Sequence, residues 1–403
     1  MTHPHIIIPG HPERVRLAAL NRLFPSELVD FVVDETGVRE ERSRSLPSRQ
    51  VVYFTLAMWL FTGSGYSTVL HEMVRNQPDG AGENWRTANS ASITKARARI
   101  RAAPLRLLFS HVTGPVGTAA TPGVFWRGRR LASLDDTTLD VPDSAANARA
   151  YARPDSDSGQ GRYPQVRLLA LVECGTRALI GAVFDSAAVG RPALAHRLLH
   201  HLAPDMLILA DQSLTAHDLW RQAADTGADL LFRTDPSLPL PIVRTLPDGS
   251  WLARLGEAHG SEHTSTVRVV EYTVDSTGED CREARSESFR LITTLLDPRT
   301  APAHELAELY SHRWTGEALH RTIRIEQRGG RAATLRSNTP EMVAQEVWAM
   351  LCAYQAVREL TADAADPGAI PERLGATIRL SERRSTDTAA RLPPPRSAER
   401  RAE

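Results

Sequence analysis

One uninterrupted run of apolar residues constrains the fold of this sequence more than any other feature. Residues 206–211, MLILAD, place five apolar residues directly before an aspartate. Such a run is typical of a strand that is buried on both faces, whereas a strand with one exposed face alternates apolar and polar residues. Helices cover both faces of a sheet that contains such strands. The run therefore predicts an α/β fold.

The segments on either side of this run alternate between strand-like and helix-like patterns. Strand-like runs occupy residues 131–135, 166–173, 178–184 and 228–233, and helical patterns occupy residues 192–203 and 215–226. The order strand, hairpin, helix, strand, helix, strand indicates a mixed sheet with flanking helices. Residues 235–300 contain further strand-like segments, which we interpret as a β-rich insertion before a long helix near 303–326. Another helix near 340–361 completes a domain that spans residues 126–362.

Residues 1–125 have the pattern of an all-α domain. The segment Ser48–Gly63 is apolar nearly all round, which predicts a helix buried in a bundle. A basic helix is expected at Ser90–Ile100, with Ser90 or Ser92 as its N-cap. Its cations are candidate DNA contacts: Lys95, Arg97, Arg99 and Arg101. A helix pair with a basic second member is compatible with a helix-turn-helix, but a solvated helix face explains the same pattern.

Composition and charge limit the class of protein. The net charge of zero argues against a protein that coats nucleic acid by charge alone, although local basic patches can still bind DNA. Cys174, Cys281 and Cys352 lie far apart, which argues against a disulfide framework or a structural zinc site. The sequence lacks a signal peptide and an apolar run of roughly 20 residues, so we expect a cytoplasmic protein outside the membrane. Residues 363–403 are rich in Pro, Arg, Ser and Ala and are predicted to form a disordered tail.

Three carboxylates occupy positions where chemistry is expected. Asp135 ends the first predicted strand, Asp211 ends the apolar run, and Glu317 lies in the long helix. Ligands bind preferentially at the carboxyl ends of strands in open sheets with parallel strands. Carboxylates from separate elements that converge there could hold magnesium ions. Taken singly, a strand-terminal aspartate can equally serve as a turn or cap residue, and a helical glutamate can simply face solvent.

A stripe on the long helix strengthens the catalytic interpretation. Tyr310, Arg313, Glu317 and Arg324 fall at i, i+3, i+7 and i+14, offsets that share one face of an α-helix. A carboxylate between arginines suits a surface that reads phosphates beside a metal ion. Trp314 next to this stripe could stack on a base near the cut, or it could pack in the core.

At these residues the chain resembles the DDE transposases of the insertion-sequence-four group. Their signature, Y-x2-R-x3-E-x6-K, is matched here from Tyr310 to Arg324 with arginine at the last position. The segments LDDTTLDVPDS and LILADQSLTAHDLWRQAADTGADLLFR resemble the blocks that hold the two aspartates of the family. NRLFPSELVDFVV and RSLPSRQVVYFTLAMWLF resemble an N-terminal domain of one subgroup. The resemblance covers roughly residues 15 to 360.

The resemblance implies a fold, a reaction and partners. The catalytic domain would be RNase-H-like, and Asp135, Asp211 and Glu317 would bind two Mg²⁺ or Mn²⁺ ions. Tyr310, Arg313 and Arg324 would hold DNA phosphates near the cleaved end. The enzyme would nick double-stranded DNA at terminal inverted repeats and then join the freed 3′-hydroxyl to target DNA. It would act as a dimer on that DNA.

Some positions depart from the family pattern and keep two alternatives open. Asp136 replaces the usual glycine and adds a negative charge, Gln212-Ser213 replaces Arg-Gly, and Arg324 replaces lysine. A catalytically decayed derivative that only occupies element ends would carry such changes. Another RNase-H-like nuclease, such as a junction resolvase, would cut without joining, but the stripe and the β-rich insertion favour the transposase.

The arginine at the signature lysine gives a first testable prediction. A guanidinium grips a phosphate through two parallel hydrogen bonds, whereas an ammonium acts as a point charge. We expect Arg324→Ala to weaken binding of the DNA end and to lower joining about 100-fold, because small misplacements penalise displacement chemistry. Arg324→Lys should preserve binding and match or exceed the parent rate. Joining rates of the three proteins on one end substrate test this, and an alanine variant equal to the parent would contradict it.

Overall fold

We describe a computed structural model of the chain, which covers residues 20, 23–42, 45–61, 64–75, 88–156, 159–160, 163–256, 264–276, 285–310, 334–364, 376–380 and 390–392. Its strands are β1 (Phe125–Trp126), β2 (Arg129–Asp140), β3 (Asp155–Ser156), β4 (Gly159–Gln160), β5 (Gln165–Glu173), β6 (Leu179–Ser186), β7 (Met206–Ala210), β8 (Asp229–Thr234), β9 (Arg244–Thr245), β10 (Trp251–Leu255), β11 (Ser265–Ser276), β12 (Arg285–Thr293), β13 (Ala376–Leu380) and β14 (Ala390–Leu392). Its α-helices are α1 (Ser26–Glu35), α2 (Ser48–Leu60), α3 (Tyr66–Arg75), α4 (Ser90–Ile100), α5 (Ala103–Val112), α6 (Ala145–Ala150), α7 (Arg191–His196), α8 (His217–Asp225), α9 (Ala303–Tyr310) and α10 (Pro340–Ala364).

The strands form a mixed sheet whose central part is RNase-H-like, as predicted. Five neighbouring strands follow the order β6-β5-β2-β7-β8 in a 12-stranded sheet. β2 pairs in parallel with β7 and β7 with β8, while β2, β5 and β6 are antiparallel. The apolar run is β7, and all five of its residues are buried. Its place between β2 and β8 explains why the run shows no alternation.

The predicted insertion does not form a separate unit. β12 pairs with β8, and β11 pairs with β12, so these strands extend the central sheet beyond its parallel part. β10 pairs with the outer part of β11. Within residues 363–403, which were predicted to form a disordered tail, the structure describes β13, and this strand pairs with β11.

Helices cover both faces of the sheet. On one face, side chains of α7 and α8 pack against even-numbered residues of two strands, Met206, Ile208 and Ala210 in β7 and Ala132 and Leu134 in β2. On the other face, α9 packs against β7, β8, β11 and β12. The N-terminal helices and α10 pack on that second face against β5. Among the described residues, no helix is both long and apolar enough to cross a bilayer.

Several element boundaries differ from the predicted ones for local reasons. β2 extends from Arg129 to Asp140, well past the predicted end at 135, because it pairs with β5 along nine residues. Asn89 caps α4 in place of a serine, since its side chain accepts a hydrogen bond from the Ser92 N–H. The predicted helix 303–326 is observed as α9 up to Tyr310, and its remainder lies outside the described residues.

The N-terminal helices share a core with the rest of the chain, and Arg97 lies inside it. The Arg97 side chain is fully buried and donates hydrogen bonds to Gln345 Oε1 (2.8 Å), the Tyr66 hydroxyl (2.6 Å) and Ser337 Oγ (3.2 Å). Ser337 in turn donates to the buried carboxylate of Glu346 (2.7 Å). The predicted DNA contact for Arg97 is therefore wrong in this structure. A basic cluster in sequence does not show which of its cations points inward.

The buried position of Arg97 predicts a large effect on stability. Arg97→Ala should lower the free energy of unfolding by about 3 kcal/mol, because it empties a buried position and removes the hydrogen bonds to Gln345, Tyr66 and Ser337. Lys95→Ala, on the exposed side of the same helix, should change it by less than about 0.5 kcal/mol. Urea unfolding of both variants measures the difference, and equal stability of the two would contradict the assignment.

Candidate active site

Asp135 and Asp211 lie on neighbouring parallel strands at the same level of the sheet. The register of β2 with β7 pairs Ala132 with Ile208 and Ser133 with Leu209. Extended by two residues, this register places Asp135 beside Asp211. Asp211 keeps an extended backbone, with φ −81° and ψ 164°, so it continues the direction of β7. Paired strands are about 4.8 Å apart and their partners point to the same face, so the two carboxylates share one small region.

Asp135 lies almost entirely inside the protein. Its exposed fraction is 5%, and its Oδ2 accepts a hydrogen bond from Ser133 Oγ at 2.9 Å. Ser133 precedes it by two residues in β2, so both side chains are on the same face of the strand. The sequence analysis did not single out Ser133, although strand alternation would have found it. This hydrogen bond fixes the orientation of the Asp135 carboxylate.

Asp211 lies at the rim of the sheet and is partly exposed. It is the N-cap of the short 3₁₀ helix Gln212–Leu214, and its Oδ1 accepts the Gln212 N–H at 2.5 Å. This contact holds the side chain where β7 ends and the chain turns away. Asp211 thus has a capping role, which the sequence analysis weighed as the plain alternative, and the same contact orients its carboxylate beside Asp135.

Asp136 points to the opposite face of the sheet. It pairs with Leu169, which belongs to the core under α7 and α8. Its Oδ2 accepts a hydrogen bond from Arg191 Nε at 2.7 Å, at the first residue of α7. The prediction that Asp136 faces away from Asp135 is confirmed, since successive side chains in a strand alternate. Its charge is therefore not added beside the two aspartates.

Tyr310 connects α9 to the strand end that precedes Asp211. The side chain is fully buried, and its hydroxyl donates a hydrogen bond to the Ala210 carbonyl oxygen at 3.1 Å. The ring packs among the side chains shared by α9 and the strands below it. A side chain with no exposed surface cannot touch a DNA phosphate, so the predicted DNA contact for Tyr310 is corrected to a structural one. Helical spacing placed Tyr310 on the same helix face as Arg313, Glu317 and Arg324, but it could not show that the side chain of Tyr310 lies in the core.

Tyr354 in α10 is close enough to Asp135 to be affected by its charge. Burial raises the pKa of Tyr354 in this helix, and the negative charge of Asp135 adds to the shift, while Arg358 and Arg177 oppose it. Tyr354 is fully buried and donates to the Arg177 carbonyl oxygen at 2.9 Å. Asp135 thus lies near side chains of a helix that sequence reasoning had treated only as packing.

The other predicted site residues divide into two groups. Arg313, Trp314, Glu317 and Arg324 lie outside the described residues. Lys95 and Arg101 are exposed, and Arg99 is half-buried with its guanidinium donating to the Leu46 carbonyl oxygen at 2.6 Å. Within the described part of the chain, no cluster of three or more His, Cys, Asp or Glu side chains could hold a metal ion.

Comparison with known proteins decides the family. A profile described as "Transposase DDE domain" matches residues 126–356, more than half of the chain. The chain belongs to the DDE transposase family. A second profile, "Insertion element 4 transposase N-terminal", matches residues 14–110.

Two curated relatives come from Escherichia coli (strain K12). The chain is 27% identical over 352 residues to "Transposase InsG for insertion sequence element IS4", a match that covers 85% of this chain and 76% of that protein. It is 27% identical over 197 residues to "Putative transposase InsZ", covering 48% of this chain and 63% of that protein. A cryo-EM structure of a piggyBac transposase synaptic complex with hairpin DNA has a TM-score of 0.44 at 10% identity, covering 88% of this chain and 77% of that one, and we draw nothing from so distant a likeness.

Membership of the family makes this transposase a DNA-binding enzyme that cleaves DNA and transfers strands. Members depend on divalent metal ions for this chemistry. The residues present fit such an ion, because hard cations prefer carboxylate oxygens and two aspartates meet here on one face. Each of them has one oxygen already engaged by a donor, Ser133 Oγ for Asp135 and the Gln212 N–H for Asp211.

Removing the Tyr310 hydroxyl distinguishes a structural role of this side chain from a DNA contact. Tyr310→Phe keeps the ring and removes only the hydrogen bond to Ala210, so we expect a loss of about 1 kcal/mol in the free energy of unfolding. Affinity for an end-containing duplex should stay within about twofold, since the side chain is buried and phosphate affinity comes from exposed cations. Urea unfolding and a DNA titration measure the two quantities. Unchanged stability with weakened DNA binding would restore the phosphate role.

Proposed function

We propose that this transposase cuts and joins the ends of its own insertion sequence with two divalent ions held by Asp135, Asp211 and Glu317. The observation that supports this most directly is the parallel register that sets Asp135 beside Asp211 at the end of β7. The ions would be Mg²⁺ or Mn²⁺. The substrate would be double-stranded DNA with terminal inverted repeats, bound by a dimer, and the second substrate would be target DNA.

The electrostatics of the two aspartates favour a bound cation. Two carboxylates on paired strands that are about 5 Å apart repel each other, and the repulsion is stronger where one of them is buried. A divalent cation held by these aspartates would offset this repulsion. When bound, two such ions stabilise both the attacking and the leaving oxygen of a phosphodiester. The residues of this chain would orient the two carboxylates, since the Ser133 hydroxyl in β2 binds Asp135 and the Gln212 N–H just after β7 binds Asp211.

Glu317 is the proposed third ligand. Tyr310, seven residues earlier in the chain, donates a hydrogen bond from its hydroxyl to the carbonyl oxygen of Ala210, the residue before Asp211. Seven residues of extended chain can span up to about 24 Å, so Glu317 can reach the aspartates from this starting point.

DNA would be held by cations near the cut and on the N-terminal helices. We propose Arg313 and Arg324 as phosphate contacts beside the metal ions and Trp314 as a base-stacking residue. Lys95, Arg99 and Arg101 on or next to α4 remain proposed DNA contacts, because part of each side chain reaches the surface. Asp136 was one reason to consider a catalytically decayed copy. Its side chain lies on the opposite face of β2 and binds Arg191, so it does not argue against an active site at Asp135 and Asp211.

An isosteric substitution of the rim aspartate tests the function. Asp211→Asn keeps the shape and the N-cap, since asparagine is also a good cap residue, but it removes a charge that the ions need. We expect cleavage to fall by more than about 100-fold, because bound ions contribute several kcal/mol to transition-state stabilisation. DNA binding should remain, as most affinity comes from phosphate contacts elsewhere.

The matched control is Asp136→Asn, the same chemical change on the opposite face of β2. It should keep the parent rates. Duplexes made from the DNA that flanks the coding sequence are incubated with each protein and Mg²⁺, and the products are separated on denaturing gels. Joined products from the parent support a transposase, cleavage without joining indicates another nuclease, and binding alone indicates a decayed copy. Cleavage by Asp211→Asn near the parent rate would show that Asp211 is not a ligand.

A further inference from the structure

Arg233 in β8 stands in the same row of the sheet as the two aspartates. β7 and β8 pair in parallel, and Ala210 lies beside Phe232. The next step of this register places Asp211 beside Arg233, as the register of β2 with β7 places Asp135 on the other side of Asp211. Three neighbouring parallel strands therefore present an aspartate, an aspartate and an arginine at one level. Ligands bind preferentially at this carboxyl end of such strands.

The Arg233 side chain lies on the face of the sheet that carries both carboxylates. Two residues earlier in β8, Leu231 points into the core beneath α9, and side chains of a strand repeat their direction every second residue. The guanidinium of Arg233 also stacks on Phe289 of β12, a ring in the same core, with Cζ 4.4 Å from the ring centre. At about 4.8 Å per strand, the Arg233 backbone is about 5 Å from that of Asp211 and about 10 Å from that of Asp135.

A carboxylate of the β-rich insertion binds this arginine. Nη2 of Arg233 donates a hydrogen bond to Glu287 Oε1 at 2.9 Å. The Glu287 side chain is 54% exposed, and that of Arg233 is 21% exposed. An ion pair with one partner so open to water contributes little to stability, because water can replace the carboxylate at little cost. Arg233 is therefore a cation that an aromatic ring holds in place and that can exchange its acidic partner.

We propose that Arg233 binds a backbone phosphate of the DNA end next to the cleaved bond, and that Glu287 competes with this phosphate for the guanidinium. The inference rests on the proposed function, in which Asp135 and Asp211 hold metal ions at that bond. A guanidinium matches a phosphate through two parallel hydrogen bonds. Phosphates of one DNA strand follow each other at about 3.4 Å along the helix axis, so a residue about 10 Å from Asp135 faces a phosphate within about three nucleotides of the cut.

Matched pairs of variants test the two parts of the proposal. Arg233→Gln removes the cation and keeps a polar side chain, and Glu287→Gln removes the competing charge. Arg290 and Glu271 form a comparable pair between β12 and β11, with 2.6 Å from Nε to Oε1. That pair lies on the other face of the sheet, because Arg290 stands beside Thr234, the neighbour of Arg233 in β8. Arg290→Gln and Glu271→Gln are therefore the controls, and urea unfolding of each variant establishes that it folds.

DNA affinity gives the first readout. The full-length protein is titrated with a duplex made from the DNA that flanks the coding sequence, with Ca²⁺ in place of Mg²⁺ so that the duplex is not cut. We expect Arg233→Gln to weaken binding about tenfold and to reduce the slope of log affinity against log salt by about one. Glu287→Gln should tighten binding about threefold, and this gain should vanish when Arg233→Gln is added. Both control variants should bind like the parent.

Neutral phosphates locate the contact on the DNA. A methylphosphonate replaces one phosphate at a time near the cut, which removes its charge. The parent should lose affinity at the phosphate that Arg233 binds, and Arg233→Gln should be insensitive to the replacement at that position only. This position is expected within about three nucleotides of the cleaved bond. Arg290→Gln should give the parent pattern.

The outcomes separate this inference from the proposed function. A parent that binds the duplex without cutting it in Mg²⁺ contradicts the metal chemistry, whereas the loss of one phosphate contact in Arg233→Gln still supports the role of this arginine. Parent-like affinity, salt slope and phosphate pattern in folded Arg233→Gln contradict the phosphate contact. A contacted phosphate far from the cut contradicts its place beside the metal ions, and an equal loss in Arg290→Gln attributes the effect to charge in general and overturns the proposal.

The exposed partner gives a test that does not depend on changing the half-buried arginine. Glu287→Gln alters a side chain at the surface, so it is expected to fold even if Arg233→Gln does not. Tighter binding than that of Glu271→Gln supports competition between the carboxylate and DNA. Affinity equal to that of Glu271→Gln contradicts it.

Discussion

The parallel pairing of β2 with β7 sets the distance between Asp135 and Asp211 through the backbone alone. Hydrogen bonds between the two strands fix which residues stand side by side, and a slip by one residue would send one aspartate to the other face. This explains how two like charges can be kept close together. Their repulsion would separate flexible side chains on loops, but here it acts against the ladder of a buried strand. The hydrogen bonds from the Ser133 hydroxyl and the Gln212 backbone N–H only refine the direction of each carboxylate.

Two buried arginines hold the chain on either side of residues 311–333, the stretch that contains Glu317. Arg268 binds carbonyl groups at Leu295 and Ala301 ahead of α9. Arg97 binds Ser337 and Gln345, where the chain returns and α10 runs back over the sheet. One arginine comes from the β-rich insertion and the other from the N-terminal helices. Both accessory parts of the chain therefore bind residues of the catalytic domain that lie before and after this stretch in the sequence.

Sequence patterns predicted the parts of the fold that depend on local burial. The run that forms β7, the hairpin of β5 and β6, and α4 were all found at or near their observed positions, because apolar periodicity reports directly on burial. The same patterns failed for Arg97 and Tyr310. Charge and helical spacing show which residues share a face, but whether that face meets solvent or core depends on segments far away in sequence. Arg97 meets Gln345, and Tyr310 meets Ala210, at separations that no local pattern reports.

Asp136 shows how a departure from a family pattern should be judged. In the sequence it stands next to Asp135, and an extra carboxylate beside a metal site would add a negative charge and a competing ligand there. Adjacent residues of a strand point to opposite faces of the sheet, so their side chains have different surroundings. Asp136 accordingly meets Arg191 at the start of α7, where a negative charge near the first turn of a helix is favourable. A substitution there bears on the packing of α7 and gives no reason to regard the catalytic site as decayed.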